Sequence, residues 1–105
     1  SGPMAGILSA HKTHPYSAWL VVACDMPSLD KQTLAQLIKE RDSAFDATAF
    51  NSPKDSLPEP LCAIYEPHLL SGVLDNSKLL PSNSPRDLLL QSRVKIIKTK
   101  NIIVL

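Results

Sequence analysis

Glycine and cysteine are scarce in this sequence of 105 residues, which has three glycines and two cysteines. It contains no G-x-G-x-x-G fingerprint and no G-x-x-x-x-G-K-[ST] segment, so neither a dinucleotide-binding fingerprint nor a P-loop is indicated. Two cysteines are too few for the disulfide framework of a small secreted domain, and both Cys24 and Cys62 lie in apolar runs. We therefore expect buried thiols, a reducing compartment and a cytoplasmic protein.

An excess of one charge and a long apolar run are missing as well. Eleven Lys and Arg stand against ten Asp and Glu, which leaves a net charge of +1. This balance gives no field that would hold a phosphate polymer, so we expect no nucleic-acid partner and no polybasic membrane patch. The longest apolar run, 18–24, is far shorter than the roughly 20 residues of a membrane helix, so no membrane span is expected. A small-molecule partner is favoured.

The hydrophobic pattern of the chain alternates between helix and strand. Met4, Ile7 and His11 lie on one face of a helix predicted from Pro3 to about Thr13. The run 19–23 predicts a parallel strand that is buried on both faces. Further strands are predicted at 45–50, 61–65, 94–97 and 101–105, with helices around 34–38, after Pro67 and after a Ser84 cap, a surface loop at 51–60 and a connection at 79–83. Alternation of this kind predicts one α/β layered domain, or part of one, with a mainly parallel sheet.

Asp25 directly follows the apolar strand, where ligands of an open α/β sheet bind. Its carboxylate could supply one ligand to Mg²⁺, with phosphates and water completing the shell, or it could cap the turn that follows. Spacing alone slightly favours the cap. Similarly, the helix start at 2–6 could offer free N–H groups to a phosphate, or its second glycine could serve packing against the sheet. Glu59 and Arg86 are interpreted as solvated side chains.

Three segments together resemble the molybdenum cofactor guanylyltransferase family, which are nucleotidyltransferases with a MobA-like domain. The segments are GPMAGI at 2–7, WLVVACDMP at 19–27 and PEPLCAIY at 58–65, and their order and spacing agree with the family. The resemblance implies a Rossmann-like three-layer α/β sandwich that transfers GMP from GTP to molybdopterin with release of pyrophosphate. It also implies that Asp25 is the catalytic residue that binds Mg²⁺ and nucleotide, that Gly2, Pro3 and Gly6 border the nucleotide, and that Pro60 and Leu61, within 58–65, face the pterin substrate.

The family's opening Leu-Ala-Gly-Gly loop, with its Arg and Lys, is absent from this sequence. The chain 1–105 is therefore expected to be the carboxyl-terminal portion of the domain, inactive without the amino-terminal half and prone to self-association as a homo-oligomer through an uncovered sheet edge. Two alternatives stay open. One is a related nucleotidyltransferase that uses CTP or another acceptor, and the other is a non-catalytic interaction module in which Asp25 only caps a turn.

Overall fold

The computed structural model describes residues 3–23, 31–52, 55–75 and 84–98. Within these ranges the elements follow in the order α1 (Pro3–Thr13), β1 (Trp19–Val22), α2 (Lys31–Glu40), β2 (Ala47–Asn51), β3 (Pro58–Tyr65), α3 (Pro67–Asp75), α4 (Pro85–Leu90) and β4 (Val94–Ile97). The predicted order of elements is confirmed there. The connection expected at 79–83 and the strand expected at 101–105 lie outside the described residues.

The four strands of the described part form one sheet in the order β1-β3-β2-β4. β2 and β4 are parallel, whereas β3 runs antiparallel to both of its neighbours. The α/β class is confirmed, and β1, β2 and β4 point in one direction, but β3 departs from the parallel arrangement. The physical reason is the length of the connection: a parallel neighbour needs a crossover of a dozen or more residues, and only 52–57 separate β2 from β3.

The surface loop predicted at 51–60 is shorter than expected. Asn51 still belongs to β2 and pairs with Pro58, the first residue of β3. The turn between them is closed by the Ser52 N–H, which donates to the Leu57 carbonyl at 2.7 Å. Proline in this segment favoured a loop, yet proline is tolerated at the first residue of a strand and in bulges, where no ladder donor is needed.

Helices cover both faces of the sheet, as a three-layer sandwich requires. Ala63 and Tyr65 of β3 lie in a core cluster with residues of α1, α3 and α4, whereas Cys62 and Ile64 lie in a second cluster with Leu37 of α2. Successive side chains of a strand point to opposite faces, so a single strand serves both clusters. The burial of Cys62 is confirmed, and Cys24 lies outside the described residues.

β1 differs from its prediction as a strand buried on both faces. All four of its residues are only half-buried. In the described sheet β1 lies at an edge, with β3 beside it and no strand on its other side, and this position leaves the apolar side chains partly open.

A bidentate ion pair lies at the end of the sheet where β1 and β2 begin. Glu66, the residue after β3, is 1% exposed, and its carboxylate accepts from Nε and Nη2 of Arg41, each at 2.8 Å. The fork geometry of the guanidinium matches both carboxylate oxygens. The hydrogen bonds to the Glu66 carboxylate, and then its charge, raise the pKa of Arg41, so the guanidinium stays charged.

The predicted cap of the last described helix is confirmed. The Ser84 hydroxyl accepts a hydrogen bond from the Arg86 N–H at 3.2 Å, and Pro85 occupies the first helical position. Leu88 and Leu89 then reach the core, which anchors α4 on β3.

Candidate functional site

An open groove of about 400 Å³ lies between α1 and β1. Pro3 and Gly6 from the start of α1, Val22 from the carboxyl end of β1 and Leu61 from β3 line one part of it. The remaining lining residues are Ile7, Ala10, Trp19, Leu20 and Val21. Three residues that the sequence assigned to binding, from segments more than fifty positions apart, therefore share one groove. The groove reaches the carboxyl end of a strand, where α/β sheets bind ligands.

The chain leading to Asp25 is fixed beside this groove. Asp25 and Gly2 themselves lie outside the described residues. The Ala23 N–H donates to the Leu61 carbonyl at 3.0 Å, which continues the β1–β3 pairing beyond Val22. The last described residue before Asp25 is thus tied to the residue expected to face the substrate.

Gly6 is exposed on the groove side of α1, and its role is not packing within the described residues. A Cβ built at Gly6 meets no heavy atom within 4 Å. Close packing against the sheet, one of the two interpretations of this glycine, is therefore wrong for the described part of the chain. The open space leaves room for a ligand to approach the helix.

The pairing of β3 with β2 is irregular at residues 59–62, a segment called the bulge below. Ala49 pairs with Ala63 and Asn51 with Pro58, so Phe50 alone on β2 lies opposite 59–62 on β3. Leu61 lines the groove, whereas Pro60 is not among the described lining residues. The Pro60 carbonyl accepts a hydrogen bond from the Tyr65 hydroxyl at 2.7 Å. Of the two predicted substrate-facing residues, Leu61 therefore borders the groove and Pro60 belongs to its support.

Glu59 is the residue that sequence reasoning missed. Its side chain is half-buried, and its Oε2 accepts from the Leu61 N–H at 3.2 Å, so the prediction of a solvated carboxylate is wrong. Burial, and then the Glu59 charge, raise the pKa values of the Cys62 thiol and the Tyr65 hydroxyl, which both stay protonated at neutral pH. The position of Glu59 between two prolines was the available signal, because such a segment leaves backbone groups for a side chain to satisfy.

The other polar candidates have structural partners. Arg86 is about half exposed and pairs with Asp55 at 2.8 Å. His11 is buried, and its Nε2 lies 3.1 Å from the Ser71 hydroxyl of α3. His68 pairs with Asp46 at 3.0 Å. In the described ranges no three His, Cys, Asp or Glu side chains gather as a metal site, and no helix there is long and apolar enough to cross a membrane.

Comparison with known proteins agrees with this geometry. The profile of the MobA-like NTP transferase domain matches residues 1–95. A molybdenum cofactor biosynthesis bifunctional protein from Synechocystis sp. is 29% identical over 101 residues, which make up 96% of this chain and 29% of that protein. The crystal structure of molybdopterin-guanine dinucleotide biosynthesis protein A from Archaeoglobus fulgidus matches with a TM-score of 0.69 and 28% identity over 92% of this chain and 47% of that one. The chain thus spans less than a third of the first relative and about half of the second.

Proposed function

The chain belongs to the MobA-like NTP transferase family, and from this we propose that it contributes to a Mg²⁺-dependent transfer of GMP from GTP to molybdopterin. The names of the two relatives, which refer to molybdenum cofactor and to molybdopterin-guanine dinucleotide biosynthesis, support this choice of substrates. Pyrophosphate leaves as the new phosphate ester forms. A cytoplasmic location is part of the same prediction.

The observation that carries the proposal is the groove. Pro3 and Gly6 at the start of α1 line the groove together with Leu61 of β3, which lies beside the carboxyl end of β1, so the nucleotide and the pterin would lie side by side there. The first turn of a helix offers unpaired N–H groups and the positive end of its dipole, both of which favour a phosphate. We assign Pro3, Gly6 and Gly2 to the nucleotide and Leu61, supported by Pro60, to the pterin.

Asp25 is proposed as the residue that would hold Mg²⁺. A carboxylate oxygen is the donor that Mg²⁺ prefers, and phosphate and water oxygens fill the other positions of such sites. Ala23, two positions earlier, is hydrogen-bonded to Leu61 at the groove, which supports a place for this carboxylate at the groove's end. When bound, the ion would neutralise charge on the transferring phosphoryl group. The chain's own part is to orient the two substrates.

The proposal includes a requirement for further residues. Phosphoryl-type transfer depends on positioning and charge neutralisation, and the family's glycine-rich loop with its Lys is not in this sequence. We therefore expect that the 105-residue chain alone releases no pyrophosphate from GTP, and that activity needs the loop from a longer chain. Pyrophosphate release by the isolated chain, abolished by Asp25→Ala, would contradict this.

Isothermal titration of the intact protein that contains these residues tests the assignment. GTP with Mg²⁺ should bind in preference to CTP and ATP, and Asp25→Ala should remove the dependence on Mg²⁺. Preference for CTP would move the chain to a related nucleotidyltransferase. Binding of no nucleotide would leave Asp25 as a turn cap and favour an interaction module.

A matched pair of glycine variants distinguishes an effect on ligand binding from an effect on helix stability. Gly6 in α1 and Gly72 in α3 both have open space where a Cβ would lie. Alanine in a helix is preferred over glycine by about 1 kcal/mol, so both Gly6→Ala and Gly72→Ala should tolerate the change or gain stability. Only Gly6→Ala should weaken GTP binding. Equal GTP affinity in both variants would remove Gly6 from the nucleotide site.

A further inference from the structure

Tyr65 does not line the groove, yet its hydroxyl is hydrogen-bonded to Pro60, the neighbour of the groove residue Leu61. Tyr65 lies opposite Trp19, at the amino end of β1, and its side chain is completely buried. Its hydroxyl nevertheless reaches the carbonyl of Pro60, five positions earlier, at 2.7 Å. This reach requires the chain between Pro60 and Tyr65 to depart from a fully extended strand, and the bulge at 59–62 supplies that departure.

Leu61 has both of its backbone groups committed at this bulge. Its N–H donates to Glu59 at 3.2 Å, and its carbonyl accepts from Ala23 at 3.0 Å. Pro60 has no N–H, so its carbonyl is its own single backbone hydrogen-bonding group, and this carbonyl belongs to the same peptide unit as the Leu61 N–H. The hydrogen bond from the Tyr65 hydroxyl to this carbonyl is the third contact that holds the Pro60–Leu61 backbone.

From these contacts we propose that Tyr65 is a positioning residue: its hydroxyl fixes the Pro60 carbonyl, and through it sets where Leu61 stands in the groove. This inference rests on the proposed function for the identity of the substrate that Leu61 meets, the pterin. Tyr65 acts through Pro60 and not by direct contact, because its side chain is fully buried and it is not among the residues that line the groove. Burial also keeps its pKa above the ordinary value, so the hydroxyl remains a donor throughout the neutral range.

The test compares Tyr65→Phe with Tyr16→Phe, which removes the same oxygen from the other tyrosine of the chain, 94% exposed. A net hydrogen bond corresponds to a factor of roughly five. In Tyr65→Phe the Ala23 amide should exchange with solvent roughly fivefold faster in the folded protein, because its acceptor on Leu61 is loosened. The Glu66 amide, which donates to the Asp46 carbonyl at the other end of β3, should keep its rate. Tyr16→Phe should change neither amide.

Kinetics of the intact protein give the second readout. Tyr65→Phe should raise KM for the pterin by roughly fivefold, with kcat and the KM for GTP within about twofold of the unchanged protein. A fall in kcat at constant KM, or unchanged exchange at Ala23, would overturn the positioning role. If the unchanged protein transfers no nucleotide, the proposed function fails, and exchange at Ala23 then decides the role of Tyr65 in holding the wall.

A measurement without any variant covers the case in which Tyr65→Phe fails to fold. In the unchanged protein, the Tyr65 hydroxyl proton should be visible by NMR in slow exchange, with a nuclear Overhauser contact to the Pro60–Leu61 segment. A hydroxyl proton that exchanges as fast as that of Tyr16 would contradict the bond and with it the proposal.

Discussion

Replacement of Arg41 by Met should destabilise the fold far more than its surface position implies. The change leaves the Glu66 carboxylate, 1% exposed, without the two 2.8 Å hydrogen bonds that it accepts. Breaking a buried ion pair from one side costs about 3–5 kcal/mol. Because the Arg41 side chain is 42% exposed, water can partly replace it, and we expect a loss of about 2 kcal/mol in the free energy of unfolding.

Urea unfolding followed by the fluorescence of Trp19, the single tryptophan, measures this loss. With a slope of about 1.5 kcal/mol per molar, the midpoint should fall by more than about 1 M. The urea midpoint of Arg41→Lys should lie between those of Arg41→Met and the unchanged protein, since an ammonium keeps the positive charge but cannot make both hydrogen bonds of the guanidinium. The double variant Arg41→Met with Glu66→Met should be more stable than Arg41→Met alone, because the uncompensated buried charge is gone.

Arg86→Met is the matched control. Arg86 makes a contact of the same 2.8 Å with a carboxylate, that of Asp55, but both partners are exposed to solvent. We expect no measurable change in its urea midpoint. Equal midpoints for Arg41→Met and the unchanged protein, or equal losses for Arg41→Met and Arg86→Met, would refute the argument that burial of the acceptor sets the cost.

Three further outcomes are expected. Ser84→Ala should lower stability by about 1 kcal/mol, because the Arg86 N–H loses its side-chain acceptor at the start of α4, whereas Ser84→Gly should lower it by only a few tenths; equal losses in a urea titration would assign no role to the hydroxyl. In a Cys24→Ser background, Cys62 should react with a thiol reagent at pH 8 more slowly than a free thiol and faster as the pH rises, since burial and Glu59 raise its pKa; reaction at the free-thiol rate would contradict its burial. The isolated chain should self-associate in sedimentation, because one side of β1 has no partner strand in the described sheet; a monodisperse monomer with a sharp cooperative melt would count against this.

The helices and strands could be predicted from the sequence, whereas the direction of β3 could not. The spacing of Met4, Ile7 and His11 predicted α1 because helical burial repeats every three to four residues, and the cap at Ser84 was readable from its side chain. The antiparallel direction of β3 follows from the short connection between β2 and β3. That connection looked longer in the sequence, because Pro58 and Pro60 belong to the strand and not to the loop. An uninterrupted apolar run records burial on both faces, and it indicates the direction of a neighbouring strand only indirectly, through the tendency of parallel sheets to be buried.

The candidate site, too, was predictable only in part. Motif resemblance assigned Pro3 and Gly6 to the nucleotide and Leu61 to the pterin, and in the structure these three residues line one groove. Their binding roles stay a prediction. The supporting roles of Glu59 and Tyr65 depend on a bulge that takes up 59–62 opposite one residue of β2. An irregular pairing between two strands leaves no periodic trace in either of them, so these contacts could be found only in three dimensions.

The reversed course of β3 also determines where this domain can change without being rebuilt. Since β3 runs against β1 and β2, its amino end and the turn that precedes it lie at the end of the sheet where β1 and β2 finish. Surface turns tolerate insertions and deletions, and in a hairpin a change of turn length is neutral to the sheet only where it keeps the register of the two strands. A change of turn length that keeps the register therefore alters only this end of the sheet and leaves the core clusters on both faces intact.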